Sequence, residues 1–158
     1  MGIDWPVPAG GWDLASLTEL FASDPDALGD VDVDVSEGSD VLQITIKERG
    51  GLSVLMAASG EQILCSVLLV KASEIPNSTA FNHQILSVHK LIPLSNFGIT
   101  SIAGAEWYEL FGSLSARSGA EALVEEVSVL ADNAANAAEW ISEWIAAGGD
   151  AAKLGEQA

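Results

Sequence analysis

Gly119–Ala147, GAEALVEEVSVLADNAANAAEWISEWIAA, is the stretch whose period decides the fold. Its apolar residues fall at Leu123, Val127, Leu130, Ala134, Ala137, Ile141 and Trp144, and Val124, Ala131, Ala138 and Ile145 widen the stripe on one flank. Spacings of three and four set all of them on one face of an α-helix, a stripe broad enough to lie flat on a core. Ser118-x-x-Glu121 just before the run reads as a capping box that closes the first orphan amides. Gly148-Gly149 can take the left-handed conformation that ends a helix. A helix this long and this one-sided needs a surface beneath it, which the rest of the chain must supply.

Working back from the helix, Phe97–Ile102 and Trp107–Leu114 read as a hairpin across Ala103-Gly104. Pro76-Asn77-Ser78 opens a helix from Thr79 to Leu91, with Phe81, Ile85, Val88 and Ile92 on one side and Pro93 as its stop. Before it stand four strands joined by glycine-containing turns. Asp30–Val35 alternates aspartate and valine, giving one apolar and one carboxylate face. Val41–Lys47 and Leu52–Ala58 follow, then Gln62–Lys71, which is apolar on both faces and so belongs at the centre, covered on both sides. Such short connections leave no room for crossover helices, so the meander is antiparallel. Trp12 and Leu17 flank the cap Asp13 as a hydrophobic staple for a first short helix that Asp24-Pro25 ends. The expectation is an α+β domain with an antiparallel sheet of five or six strands, in the order α-ββββ-α-ββ-α. It occupies residues 12–147, between a flexible leader (1–11) and a flexible tail (148–158).

The chain has 158 residues, 49% of them hydrophobic, and a net charge of −17. A polyanion of that density repels phosphate backbones and anionic lipid surfaces, which need Lys and Arg to displace their counterions. Nucleic acid is therefore not an expected ligand. No apolar run approaches the ~18 residues that span a bilayer, and Met1–Pro6 has neither the basic nor the apolar part of a signal peptide. Cys65 is the single cysteine, so no intrachain disulfide can form, and its apolar surroundings make it a small buried thiol. A reducing cytoplasm is the expected home.

Residues that could carry chemistry do not assemble into a site on paper. Counted from Asp30, a calcium loop would have Val35 at its glycine position and Val41 at its glutamate position; counted from Asp24, Gly29 meets the glycine position but Leu28 and Val35 stand at positions five and twelve. His83 and His89 are six apart, on different faces of their helix, which is not a paired metal-ligand spacing. Ser87-x-x-Lys90 lacks the companion motifs of the penicillin-recognising enzymes. Glu125, Glu126, Glu139 and Glu143 read as solvated carboxylates opposite the apolar stripe. No metal, cofactor or catalytic group is nominated. The aromatics are more telling. Trp140 and Trp144 lie four apart on the long helix, Trp107 and Phe111 share a strand face, and all four are candidate partner-binding residues, with Trp140, beside the stripe, as the foremost anchor.

Thr79-Ala80-Phe81-Asn82, Pro93-Leu94-Ser95, the run Glu106–Ser115 and Leu130-Ala131-Asp132-Asn133 together resemble the YjfI-like family of small uncharacterised bacterial proteins, over about Trp12 to Trp144. Phe111-Gly112-x-Leu114-Ser115 followed by Leu130–Asn133 is the most specific part. The resemblance implies a cytoplasmic protein of no established activity, often encoded near a phage-shock-protein-A-like envelope-stress factor, and has no catalytic residues to transfer. The layout is also similar to that of type III secretion chaperones of the Tir-chaperone class, which are acidic, non-enzymatic, usually dimeric and hold partner proteins along apolar grooves. The expectation is thus a non-catalytic, homodimeric, protein-binding module. The rival is a small-ligand sensor or enzyme whose pocket gathers groups such as His83, His89 or Glu106.

Overall fold

The computed structural model describes residues 5–154, so the outer ends of the expected leader (1–4) and tail (155–158) lie outside the described residues. Helix α1 (Leu14–Ala22) is followed by strands β1 (Val31–Val35), β2 (Val41–Ile46), β3 (Leu52–Ser59) and β4 (Gln62–Lys71). Then come α2 (Ser78–Val88), the hairpin of β5 (Asn96–Ile102) and β6 (Ala105–Ser115), the long α3 (Ala120–Ala146) and a short α4 (Ala151–Leu154). This is the α+β layout expected from the sequence. The strands form one six-stranded antiparallel sheet in the order β1-β2-β3-β4-β6-β5, so the second arm of the hairpin lies against β4 and the first becomes an edge.

Local chemistry explains most boundaries. Asp13 caps α1 by accepting from the Ser16 amide at 2.8 Å, while the Ser16 hydroxyl accepts from the Asp13 amide at 2.9 Å. Ala103 and Gly104 both have positive φ (+51° and +81°), the two-residue turn whose twist suits a hairpin. At α3 the expected capping box does not form. Gly119 is the N-cap, without a side-chain bond, and the Ser118 carbonyl accepts the Trp12 indole N–H at 2.7 Å. The staple tryptophan of α1 thereby ties the start of α3 to the start of the domain. Helix α2 stops at Val88, and a 3₁₀ turn, His89–Leu91, carries the chain on to Pro93.

All seven residues of the central stripe of α3 are buried, as are Val124 and Ala131, whereas Ala138 and Ile145 on the flank are exposed. The helix bridges two apolar clusters. Its first half joins α1 (Leu17, Leu20, Phe21) over the inward residues of β2, β3 and β4. Its last turns bring Ile141 and Trp144 into a second cluster with Ile75, Phe81, Ile85 and Tyr108. The helices thus lie on one face of the sheet. That corrects the expectation for β4, which is central but covered on one face only. Leu64 on its other face is 37% exposed beside half-buried Leu55, Ala57 and Phe111. Cross-strand neighbours, not a second layer, shield that face. Trp5 packs against the core, and Asn77 Nδ2 donates to the Gly149 carbonyl at 3.1 Å, drawing the start of the expected tail onto α2.

Candidate functional site

Between the 3₁₀ turn after α2, the start of β5 and the middle of α3 runs a cleft of about 340 Å³. Val88, Leu91, Ile92, Phe97, Leu110, Ala137 and Trp140 line it with apolar surface, and Gln84, Asn133 and Asn136 add amides. Among the described residues no ionisable group lines this cleft. Its walls are braced from behind. The Trp140 ring stacks on Phe81 (5.1 Å between centroids, planes 23° apart), and Phe81 in turn meets Tyr108 and Trp144 edge-on at 4.9 and 5.5 Å. The Tyr108 hydroxyl donates to Asn82 Oδ1. Asn133 Nδ2 donates to the Pro93 carbonyl at 2.8 Å and to Ser95 Oγ at 2.9 Å, and the Phe97 amide donates to His89 Nε2 at 2.8 Å. Amide and imidazole side chains thereby fix an otherwise irregular segment to α3 and β5.

The opposite face of the sheet carries a second apolar groove, over Val41, Leu55, Leu64 and Phe111. Phe111 lies across Gly98, where a Cβ would approach its ring to 3.0 Å, so glycine in β5 lets the ring lie down. The Lys71 ammonium sits 5.7 Å from the Trp107 ring centroid. Glu109 stands between Trp107 and Phe111 on this face, and partial burial raises its pKa.

The four aromatics singled out from the sequence do not make one surface. Trp140 is half-buried and walls the cleft. Trp144 is fully buried, its indole N–H donating to the Pro76 carbonyl at 2.8 Å, so it is a core residue and not a contact for a partner. Trp107 and Phe111 are half-buried on the far side of the sheet. His83, His89 and Glu106 do not converge. His89 is engaged with Phe97, and Glu106 borders a separate depression with Tyr108 and Asn82.

Glu126 is not the solvated carboxylate that its position on the helix suggests. It is 5% exposed, its carboxyl turned toward β6 where Gly112 leaves room that a Cβ would fill. Burial raises its pKa, and Glu125 beside it adds to the rise. The neighbouring Cys65 thiol donates to the Gly112 carbonyl and is pushed up to about 12, by burial first and by the Glu126 charge second. A thiol so held is inert at neutral pH. The residues that carry the family resemblance turn out to be contacts: Asn82 with Tyr108, Asn133 with Pro93 and Ser95, Gly112 beside Glu126, and Asp132 with Arg49 at 3.1 Å. The cleft is not legible in the sequence because its lining comes from separate segments, and Pro93 and Asn133, which do belong to family motifs, give no sign there of a shared pocket.

Comparison with known proteins gives the family and the fold. Residues 11–145 match the family profile "Uncharacterized protein conserved in bacteria (DUF2170)". The uncharacterised protein YjfI of Escherichia coli (strain K12) is 29% identical over 133 residues, 84% of this chain and 97% of that protein. The protein of the same name from Escherichia coli O157:H7 matches to the same extent. Among solved structures, a chain of the ExsC–ExsE complex superposes with a TM-score of 0.54 at 15% identity, over 82% of this chain and 97% of its own. YbjN from E. coli superposes equally, 0.54 at 14% identity, over 79% and 93%. At such identities the likeness is one of fold.

Proposed function

This chain belongs to the DUF2170 family of uncharacterised bacterial proteins, and from that premise we propose that it is a non-catalytic protein-binding module that holds an apolar segment of a partner in the cleft beside Trp140. The observation that carries the reading is the character of that cleft. It is apolar, braced by three interlocking rings and lined by no ionisable group among the described residues. Such a site can seat a large aliphatic or aromatic side chain, with amides at the rim to hold backbone, but offers nothing to move a proton. One neighbour of this fold is seen in complex with another protein, which favours the same use here. We place the module in the cytoplasm, as a homodimer. A phage-shock-protein-A-like factor, named by the family resemblance, is the first partner to try.

Peptides selected on the wild-type protein from a random library test this. The expected binders are apolar segments whose affinity drops at least tenfold, ~1.4 kcal/mol, with Trp140→Ala. Binders that bind Trp140→Ala as tightly as wild type would overturn it.

A further inference from the structure

We infer that the free edge of β5, together with the outward side of α2, is the surface on which two copies of this chain pair. The inference rests on the dimer reading above and adds the surface. It starts from an asymmetry of charge. The chain holds 23 Asp and Glu, yet none falls between Ile75 and Ala105, the span that contains α2 and β5. Its charged or titratable residues are Lys90, His83 and His89. On that span Leu86 and Leu91 are 70% and 74% exposed, and Ile99 on β5 is 51% exposed.

The backbone says the same. Strand β5 pairs with β6 along one edge, and among the described residues no strand pairs with its other edge, which is open beyond Phe97. The Phe97 amide points away from β6, since it donates to His89 Nε2. Along an antiparallel strand the outward groups recur every second residue, so Ile99 and Ser101 also present N–H and C=O to the open side. No charged residue and no proline interrupts Asn96–Ile102. An edge left this way accepts another strand.

The occupant follows from charge. A basic partner would be drawn to the acidic surfaces that make up most of this molecule. A partner that is itself strongly acidic can approach only where carboxylates are missing, and a second copy, also at −17, meets that condition with the same span. A two-fold axis at Thr100 sets Ile99 opposite the partner's Ser101, each pair exchanging N–H···O bonds, and extends the sheet across both copies. Ser78 and Asn82 of α2 border the same depression as Ile99, and Glu106 on β6 is the one carboxylate at its rim, so the α2 helices come together over the seam with that carboxylate one strand back from it.

Light scattering on the eluting protein at tens of micromolar, with hydrogen exchange on the same sample, tests the assignment. The expected mass is twice the 16.4 kDa of the chain. The Ile99 and Ser101 amides should exchange slowly in the dimer and quickly on dilution. Ser101→Pro removes an amide that the monomer's own ladder does not use, and Leu86→Glu places a carboxylate in the bare span. Each should shift the protein to monomer with its circular dichroism unchanged. Raising salt should tighten the dimer, because it screens two like-charged bodies. If Ser101→Pro fails to fold, Leu86→Glu and the exchange rates decide. A wild-type mass of 16.4 kDa overturns the dimer and the surface together. A dimer that survives both substitutions with Ile99 and Ser101 exchanging fast keeps the dimer and overturns the surface.

Discussion

Strands β1 and β5 occupy the two ends of one sheet, and each leaves an edge unpaired among the described residues. On β1, Asp32 and Asp34 are exposed on the outer face, and Lys47 on β2's exit lies 3.3 Å from both Asp30 and Asp32. That end stays hydrated and turns other strands away by like charge. On β5, Asn96–Ile102 carries no charge, packs a glycine under Phe111 and stands beside the exposed leucines of α2. The helix layer differs in the same sense. Near β1, α3 is held by Arg49, which donates to the Ser128 carbonyl at 2.8 Å and pairs with Asp132. Near β5, it is held by stacked rings around Phe81. The lesson is that acidity here is not uniform: it is concentrated at the β1 end of the sheet and withheld from the β5 end.

The hardest blow to the β5 end is Trp144→Ala. Removing a fully buried indole and its bond to Pro76 should cost ~3–5 kcal/mol in denaturant unfolding. Native-state hydrogen exchange should show α2 and β5 opening well before β1 and β2; uniform loss of protection would break the contrast. Next, Ile99→Asp gives β5 the chemistry of β1 and should weaken self-association at least tenfold by sedimentation, with little change in the unfolding midpoint. At the β1 end, Arg49→Ala strips α3 of its polar clamp and should lower stability by about 1–2 kcal/mol, less than the aromatic loss at the other end.

The smallest effect concerns Glu126, between the two ends. Its raised pKa means the folded carboxyl binds a proton more tightly than the unfolded one, so its share of stability is greatest at low pH. That share falls as pH rises through the window from the ordinary glutamate value to the raised one. Glu126→Gln should therefore raise the melting temperature modestly at pH 7, with the gain fading as the buffer is taken toward pH ~4. Melts over a pH series would show it, and a constant offset at all pH values would contradict the assignment.

Much of the fold was legible because its signals are local. The alternating Val31–Val35 reads as an amphipathic strand, and the spacing of Leu123 through Trp144 as a helix face, since side-chain direction follows backbone period alone. The misreadings share one cause. Ser118 looks like a cap, yet the helix begins one residue later, with Gly119 as its N-cap, and the Ser118 carbonyl accepts from Trp12, more than a hundred residues away. Glu126 looks solvated by its position on the wheel until Gly112 provides a gap across the sheet. Gln62–Lys71 looks doubly covered, yet the structure bares one of its faces. The cleft likewise was invisible, because Trp140, Phe97 and Leu91 meet only after α2, β5 and α3 have packed.

By itself the sequence determined the elements, their order, the antiparallel meander and the acid-free span, all set by periodicity, turn chemistry and composition within a few residues. The tertiary structure decided that β6 inserts beside β4, that β5 becomes the open edge, and that Trp144 is core while Trp140 walls a cleft. Those outcomes depend on which apolar faces find each other across the whole chain. That competition is settled by the total area buried and by pairing at long range, which no local window contains.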